Sequence, residues 1–165
     1  MRSAKVDILR NLVYKAYMKL STQADYAVRA VCELACREPG SVVHTDEIAG
    51  AQRIPAARLA KVVQDLARAG LVRTMRGRQG GVVLARPADG ITVRDVYEAV
   101  EGPILMCRCR QRAEPCGERS CDTHAFWHGV ETLLNEELEN MTFAALADSR
   151  RLAPGSGARP HAARR

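Results

Sequence analysis

Five potential soft-metal ligands stand between positions 107 and 124 of this 165-residue sequence: Cys107, Cys109, Cys116, Cys121 and His124. Thiols gathered in one loop would be exposed and open to oxidation if nothing bound them, since the thiolate is the reactive form wherever solvent reaches it. Ligation to metal gives them a reason to be together. The spacings are C-x-C, C-x6-C and C-x4-C, and none is the two-residue knuckle usual in structural zinc sites. Unequal spacings on a flexible loop suit an iron–sulfur cluster, 2Fe-2S or 4Fe-4S, at least as well. The order of expectation is a cluster, then zinc, then unligated redox thiols. Cys32 and Cys36 lie one helical turn apart among apolar residues and read as small core side chains. His44 and His128 have no cluster of partners in the sequence and read as surface or helix-packing residues. No nucleophile motif or catalytic carboxylate pair accompanies the loop, so the expectation is a protein that is not an enzyme.

The elements that must position this loop follow from charge and periodicity. Residues 53–94 carry nine basic side chains against two acidic ones, whereas residues 95–149 carry four against eleven. The first block suits a polyanion and the second repels one. No segment is a strongly basic amphipathic helix with bulky apolar residues, so nucleic acid is preferred over a membrane surface as the partner. Apolar runs are too short to span a bilayer and no secretory signal opens the chain, which points to the cytoplasm.

A first helix is signalled from Thr22 by Ala24, Ala27, Val28, Val31, Leu34 and Ala35. A short second helix is expected with Thr45 as its cap and Asp46 and Glu47 in its first turn. A third opens with Pro55 in its first turn and runs to about Ala69, where Gly70 stops it. On this third helix Leu59, Val62, Val63 and Leu66 can face the core, leaving Arg58, Lys61, Gln64, Asp65 and Arg68 outward. Two helices with a tight turn, the second one basic, form the pattern of a helix-turn-helix. Residues 71–85 then read as two strands around the glycine-laden turn Arg76-Gly77-Arg78-Gln79-Gly80-Gly81, a basic wing able to reach phosphates or the minor groove. The candidate DNA-binding residues are Arg58, Lys61, Gln64, Arg68, Arg76 and Arg78. Thr92 and Asp95 resemble a capping box for a further helix ending near Gly102. Beyond the loop, Phe126, Val130, Leu133, Leu134, Leu138 and Met141 mark one face of a long helix whose other side carries Glu131, Glu136, Glu137 and Glu139. Such a helix after a winged module is expected to pair with its twin.

The expected architecture is mainly α with a small β-hairpin wing: a winged helix-turn-helix plus a long C-terminal dimerisation helix. Its divisions are an N-terminal extension at 1–17 ahead of Met18, read as an upstream or misassigned start, and a DNA-binding domain at 18–102. A cysteine-rich cluster-binding loop at 103–121, a dimerisation helix region at 122–148 and a disordered basic tail at 149–165 follow.

The chain resembles the Rrf-type (BadM-like) winged-helix regulators of bacteria from Met18 to about Asp148. The likeness rests on Met18-Lys19-Leu20-Ser21-Thr22, Asp25-Tyr26-Ala27-Val28-Arg29, the wing turn at 76–81, Leu84-Ala85-Arg86-Pro87, and Cys121-Asp122-Thr123-His124-Ala125-Phe126-Trp127. Members of that family include an iron–sulfur cluster regulator and a nitric-oxide-sensing repressor. The resemblance implies a homodimer that binds an operator in double-stranded DNA, probe helix in the major groove and wing arginines in the minor groove. It further implies a cluster on Cys109, Cys116 and Cys121 plus one more ligand. Here the middle cysteine is displaced by one from the family's even spacing, and Cys107 competes for the first position. For the fourth ligand, His124 matches one branch of the family and is preferred. Asp25 matches another, in which the acid comes from the partner subunit, although Thr22-x-x-Asp25 also reads as a plain capping box. The function expected is a cluster-modulated transcription regulator acting as a repressor, responsive to redox, nitric oxide or iron and cluster status, with a zinc-stapled or cluster-free regulator as the alternative.

Overall fold

The computed structural model describes residues 20–77, 80–106 and 122–152. In chain order it comprises α1 (Thr22–Ala35), α2 (Thr45–Gln52), α3 (Ala56–Arg68), β1 (Val72–Met75), β2 (Gly81–Leu84), a 3-10 turn (Ala88–Gly90), α4 (Val93–Glu101), α5 (Asp122–Asn140) and α6 (Phe143–Leu152). The expected extension and Met18, the wing-tip Arg78, the cysteines at 107, 109, 116 and 121, and the tail beyond Leu152 lie outside the described residues.

Caps set most of the helix boundaries. Ser21 opens α1, its hydroxyl accepting the Ala24 N–H at 3.0 Å. The Thr22–Asp25 box does not form, because Thr22 is already helical and Asp25 pairs with Arg29 at 3.1 Å. Likewise Thr45 is the first residue of α2 rather than its cap, a position held by His44 without a side-chain hydrogen bond. Pro55 precedes α3 by one residue instead of lying in its first turn. The Thr92–Asp95 box is complete: Asp95 N–H donates to the Thr92 hydroxyl at 3.1 Å and Thr92 N–H donates to the Asp95 carboxylate at 3.0 Å. At the end of α3, Gly70 takes a φ of 72°. That left-handed residue lets the Leu71 and Gly70 N–H groups turn back to the carbonyls of Leu66 and Ala67.

The core gathers Ala27 and Val31 of α1, Ile48 of α2, Leu59, Val62 and Leu66 of α3, Ile91, Val96 of α4 and Phe143 of α6, all at most 1% exposed. Strands β1 and β2 pair antiparallel from Val72 opposite Leu84 to Met75 opposite Gly81. The hairpin does not stand free. Val43 exchanges both backbone hydrogen bonds with Val82, at 2.9 and 2.8 Å. Residue 81 must be glycine for this approach, since a Cβ there would lie 2.4 Å from the Val43 carbonyl oxygen.

The C-terminal region departs from the single long helix expected. It breaks at Met141–Thr142, where the backbone returns to the start of α4: Val93 N–H donates to the Met141 carbonyl at 2.9 Å and Phe143 N–H donates to the Ile91 carbonyl at 3.0 Å. Helix α6 then runs to Leu152, into the span expected as disordered tail, and buries Phe143 and Ala147. The apolar stripe of α5 is also divided. Val130, Leu134 and Leu138 are half-buried, while Phe126, Leu133 and Met141 are exposed together with Trp127. Glu131, expected on the solvent side, is 5% exposed. Cys32 is half-buried against the core and Cys36, also half-buried, closes the end of α1.

Candidate nucleic-acid interface and ligand loop

Helix α2 ends in a left-handed turn made by Arg53 (φ 52°, ψ 45°). Ile54 N–H returns to the Ala49 carbonyl at 2.9 Å, and buried Ile54 plugs the turn. A left-handed residue other than glycine costs about 1–2 kcal/mol, which the pinned Ile54 offsets. The turn sets the departure of α3. On that helix Leu59, Val62, Val63 and Leu66 are buried, so Arg58, Lys61, Gln64 and Arg68 are left exposed with Ala57 and Ala60. The two alanines, which sequence reasoning passed over, keep the outer face low enough for a surface to approach the backbone.

The cations differ in how far they are committed within the chain. Among the described residues, Arg53, Arg58, Lys61, Arg73 and Arg76 make no ion pair. Arg68 pairs with Asp65 at 3.0 Å. Asp65 was expected to face outward; it is instead partly buried and accepts the Gln23 amide at 2.9 Å. Arg86 pairs with Asp95 at 2.7 Å, and Arg94 with Glu98 at 3.0 Å and Glu139 at 3.5 Å. The uncommitted charge therefore concentrates on the turn, the first half of α3 and the wing strand β1. Arg53 and Arg73 could have been found from the charge block alone, but not their freedom from partners.

The two flanks of the cysteine loop both rest on α5. Met106, the residue before Cys107, donates its N–H to the buried Glu131 carboxylate at 3.0 Å. At the other end, α5 begins at Asp122, directly after Cys121. His124 is half-buried in its first turn, with the His128 ring 6.2 Å away. Asp25, the competing fourth ligand, is held by Arg29, whose guanidinium also lies 5.9 Å from the Tyr26 ring centre. Glu131 carries no motif, and nothing local in the sequence distinguishes it from the exposed glutamates of α5. Among the described residues no three His, Cys, Asp or Glu side chains converge on one point, and four of the five expected donors lie outside them.

Known proteins place this arrangement. The profile of the Rrf2 family, described as an iron-dependent transcriptional regulator, matches residues 20–149. This chain belongs to the Rrf2 family. A helix-turn-helix-type transcriptional regulator of Mycobacterium tuberculosis strain H37Rv is 36% identical over 131 residues, covering 79% of this chain and 81% of the relative. The regulator IscR of Escherichia coli is 30% identical over 140 residues, covering 85% and 86%. Among solved structures, CymR, the global cysteine regulator of Bacillus subtilis, superposes with a TM-score of 0.68 at 28% identity, over 80% of this chain and 98% of its own. IscR of T. potens does so at 0.67 and 28%, over 81% and 88%. The Rrf2 chain is thus a winged-helix transcriptional regulator, and DNA binding is the property its family shares. No helix among the described residues is long and apolar enough to cross a membrane.

Proposed function

We propose that this Rrf2 regulator binds operator DNA as a homodimer and is a repressor whose affinity responds to an iron–sulfur cluster on the 107–121 loop. The observation that carries the DNA reading is the set of exposed, uncommitted cations on the turn, the first half of α3 and the wing: Arg53, Arg58, Lys61, Arg73 and Arg76. Helix α3 enters the major groove, with Lys61 and Gln64 toward base edges and Arg58 on phosphate. The wing carries Arg76 and Arg78 to the minor groove or its flanking phosphates. Arg68, held by Asp65, contributes less. Phe126, Trp127 and Leu133, between 41% and 62% exposed on α5, form the surface at which two copies meet.

The donor set fits a cluster: soft thiolates at Cys109, Cys116 and Cys121, with Cys107 as alternative first ligand, and a histidine at His124. When bound, the cluster supplies a redox- and nitric-oxide-reactive centre whose presence depends on iron supply. His124 stands in the last position of the donor set, in the first turn of α5. Its rival Asp25 has one carboxylate oxygen engaged by Arg29 at 3.1 Å. Glu131 fixes Met106 and so fixes where the loop leaves α4. Because both flanks are tied to α5, a change in the loop is passed to the helix that joins the two copies, and half-site spacing makes DNA affinity sensitive to their separation.

Oxygen-free purification followed by visible absorption and metal analysis tests the cluster, and enrichment of a duplex from a random-sequence pool tests DNA reading. A brown protein that becomes colourless, yet stays folded and dimeric, on Cys116→Ala or Cys121→Ala is expected, with colour kept on Cys32→Ala. A colourless protein holding stoichiometric zinc would overturn the sensor and leave the zinc-stapled regulator.

A further inference from the structure

Glu33 is a charged side chain in the last turn of α1, 6% exposed. Taking a carboxylate out of water is costly unless its partners compensate, and an apolar side chain of similar size is often as stabilising. Its partners identify what it holds. One oxygen accepts the Arg37 guanidinium at 2.9 Å, a contact that stays within the end of α1. The other accepts two donors from elsewhere: the Gln52 amide at 2.6 Å and the Arg150 guanidinium at 3.0 Å. Gln52 is the last residue of α2, directly before left-handed Arg53. Arg150 lies in the last turn of α6, and Arg151 beside it adds a bond to the Cys36 carbonyl at 3.4 Å.

We propose that Glu33 is a positioning residue for DNA reading, its carboxylate holding the end of α2, and so the departure of α3, in register with the C-terminal helix α6. The assignment rests on α3 being the helix that meets DNA and is independent of the cluster. Gln52 reports the place where α2 stops, and Arg53 converts that place into the direction of α3. Arg150 reports α6, which follows α5 after a break of two residues. A single carboxylate oxygen therefore joins the helix end that aims the reader to the helix that follows the expected dimer surface. Packing alone could hold these three ends near one another, but it would not fix their angular register as two directed hydrogen bonds on one atom do.

The test uses the full chain and a duplex that the wild-type protein enriches from a random pool, beside a scrambled duplex of equal length. Arg150 is 42% exposed, so Arg150→Ala should fold, and its melting temperature is recorded with that of Glu33→Gln. Arg150→Ala is expected to lose about five-fold or more in affinity for the enriched duplex while its affinity for the scrambled duplex stays within two-fold (roughly the effect of one distant surface charge). Glu33→Gln should shift the same ratio in the same direction. Arg150→Lys, which keeps a cation in reach of the carboxylate, should recover most of the loss. An equal loss on both duplexes, no loss on either, or a lysine variant as impaired as alanine would overturn the assignment. Failure of the wild type to enrich any duplex would instead overturn the DNA reading on which it rests.

Discussion

Helices α3 and α5 are both amphipathic, yet they dispose of their apolar faces in opposite ways. In α3 the stripe Leu59, Val62, Val63 and Leu66 is at most 5% exposed, and the polar side is turned out. In α5, Phe126, Trp127 and Leu133 are 41–62% exposed, while a charged residue, Glu131, is 5% exposed. The packing of α3 is complete within one chain, so its outer cations are free to be a working surface. That of α5 is incomplete, and what is buried there is the carboxylate that fastens Met106. One helix presents chemistry on a finished scaffold; the other presents unfinished scaffold next to the chemistry.

The contrast breaks most sharply under core truncation. Leu59→Ala should lower unfolding free energy by about 2–5 kcal/mol, read from urea denaturation at fixed protein concentration. Leu133→Glu should leave the folded protomer within about 0.5 kcal/mol, as surface changes do, but dissociate the proposed dimer in sedimentation velocity. A Leu133→Glu protein that remains dimeric would remove α5 from the interface. A finer distinction lies among the cations. If Arg58 and Arg76 meet phosphates, alanine at either should flatten the slope of log affinity against log salt by about 0.9. Arg68→Ala should flatten it less, because Arg68 is already paired with Asp65.

The smallest effect is one of pH. Burial alone would raise the Glu33 carboxyl, but hydrogen bonds from Gln52 and Arg150, with the charges of Arg150 and Arg37, outweigh it and hold the group below the ordinary glutamate value. A depressed acid stabilises the fold fully above its unfolded value, and that contribution is lost as pH falls through the lower folded value. Wild-type protein should therefore lose stability on acidification through this window more steeply than Glu33→Gln. Parallel curves for the two proteins would show that the carboxylate is not ionised to advantage.

What could be read from the sequence was whatever local pattern decides. The inward set on α3, the Thr92–Asp95 box and the stop at Gly70 are all written in neighbouring residues, and all appear in the structure. The break before α6 is only partly local. Thr142 caps α6, its hydroxyl accepting the Ala145 N–H at 3.3 Å, but no glycine or proline marks the stop, and the backbone there pairs with residues 91–93, some fifty positions earlier. Phe143, fully buried, was missed for the same reason. At the candidate site the exposed cations could be listed by type, but commitment could not: Asp65 is drawn inward by Gln23 from a different helix. Glu33 and Glu131 were equally silent, since burial of an acid depends on donors that only the tertiary fold supplies.

The pairing of residues 91–93 with 141–143 has a consequence for how such a regulator can change over evolutionary time. Helix α4 is packed into the body through Val96, and the cysteine loop and α5 follow it as an excursion that rejoins the body where Val93 meets Met141 and Phe143 meets Ile91. Lengthening a loop whose ends are already joined adds closure entropy only slowly, roughly 0.6 kcal/mol per doubling. The excursion can thus gain, lose or respace ligands without displacing either neighbour. A lineage can rewrite this loop while leaving the helix-turn-helix untouched, and the irregular C-x-C, C-x6-C, C-x4-C spacing of this chain is the kind of variation that such an arrangement tolerates.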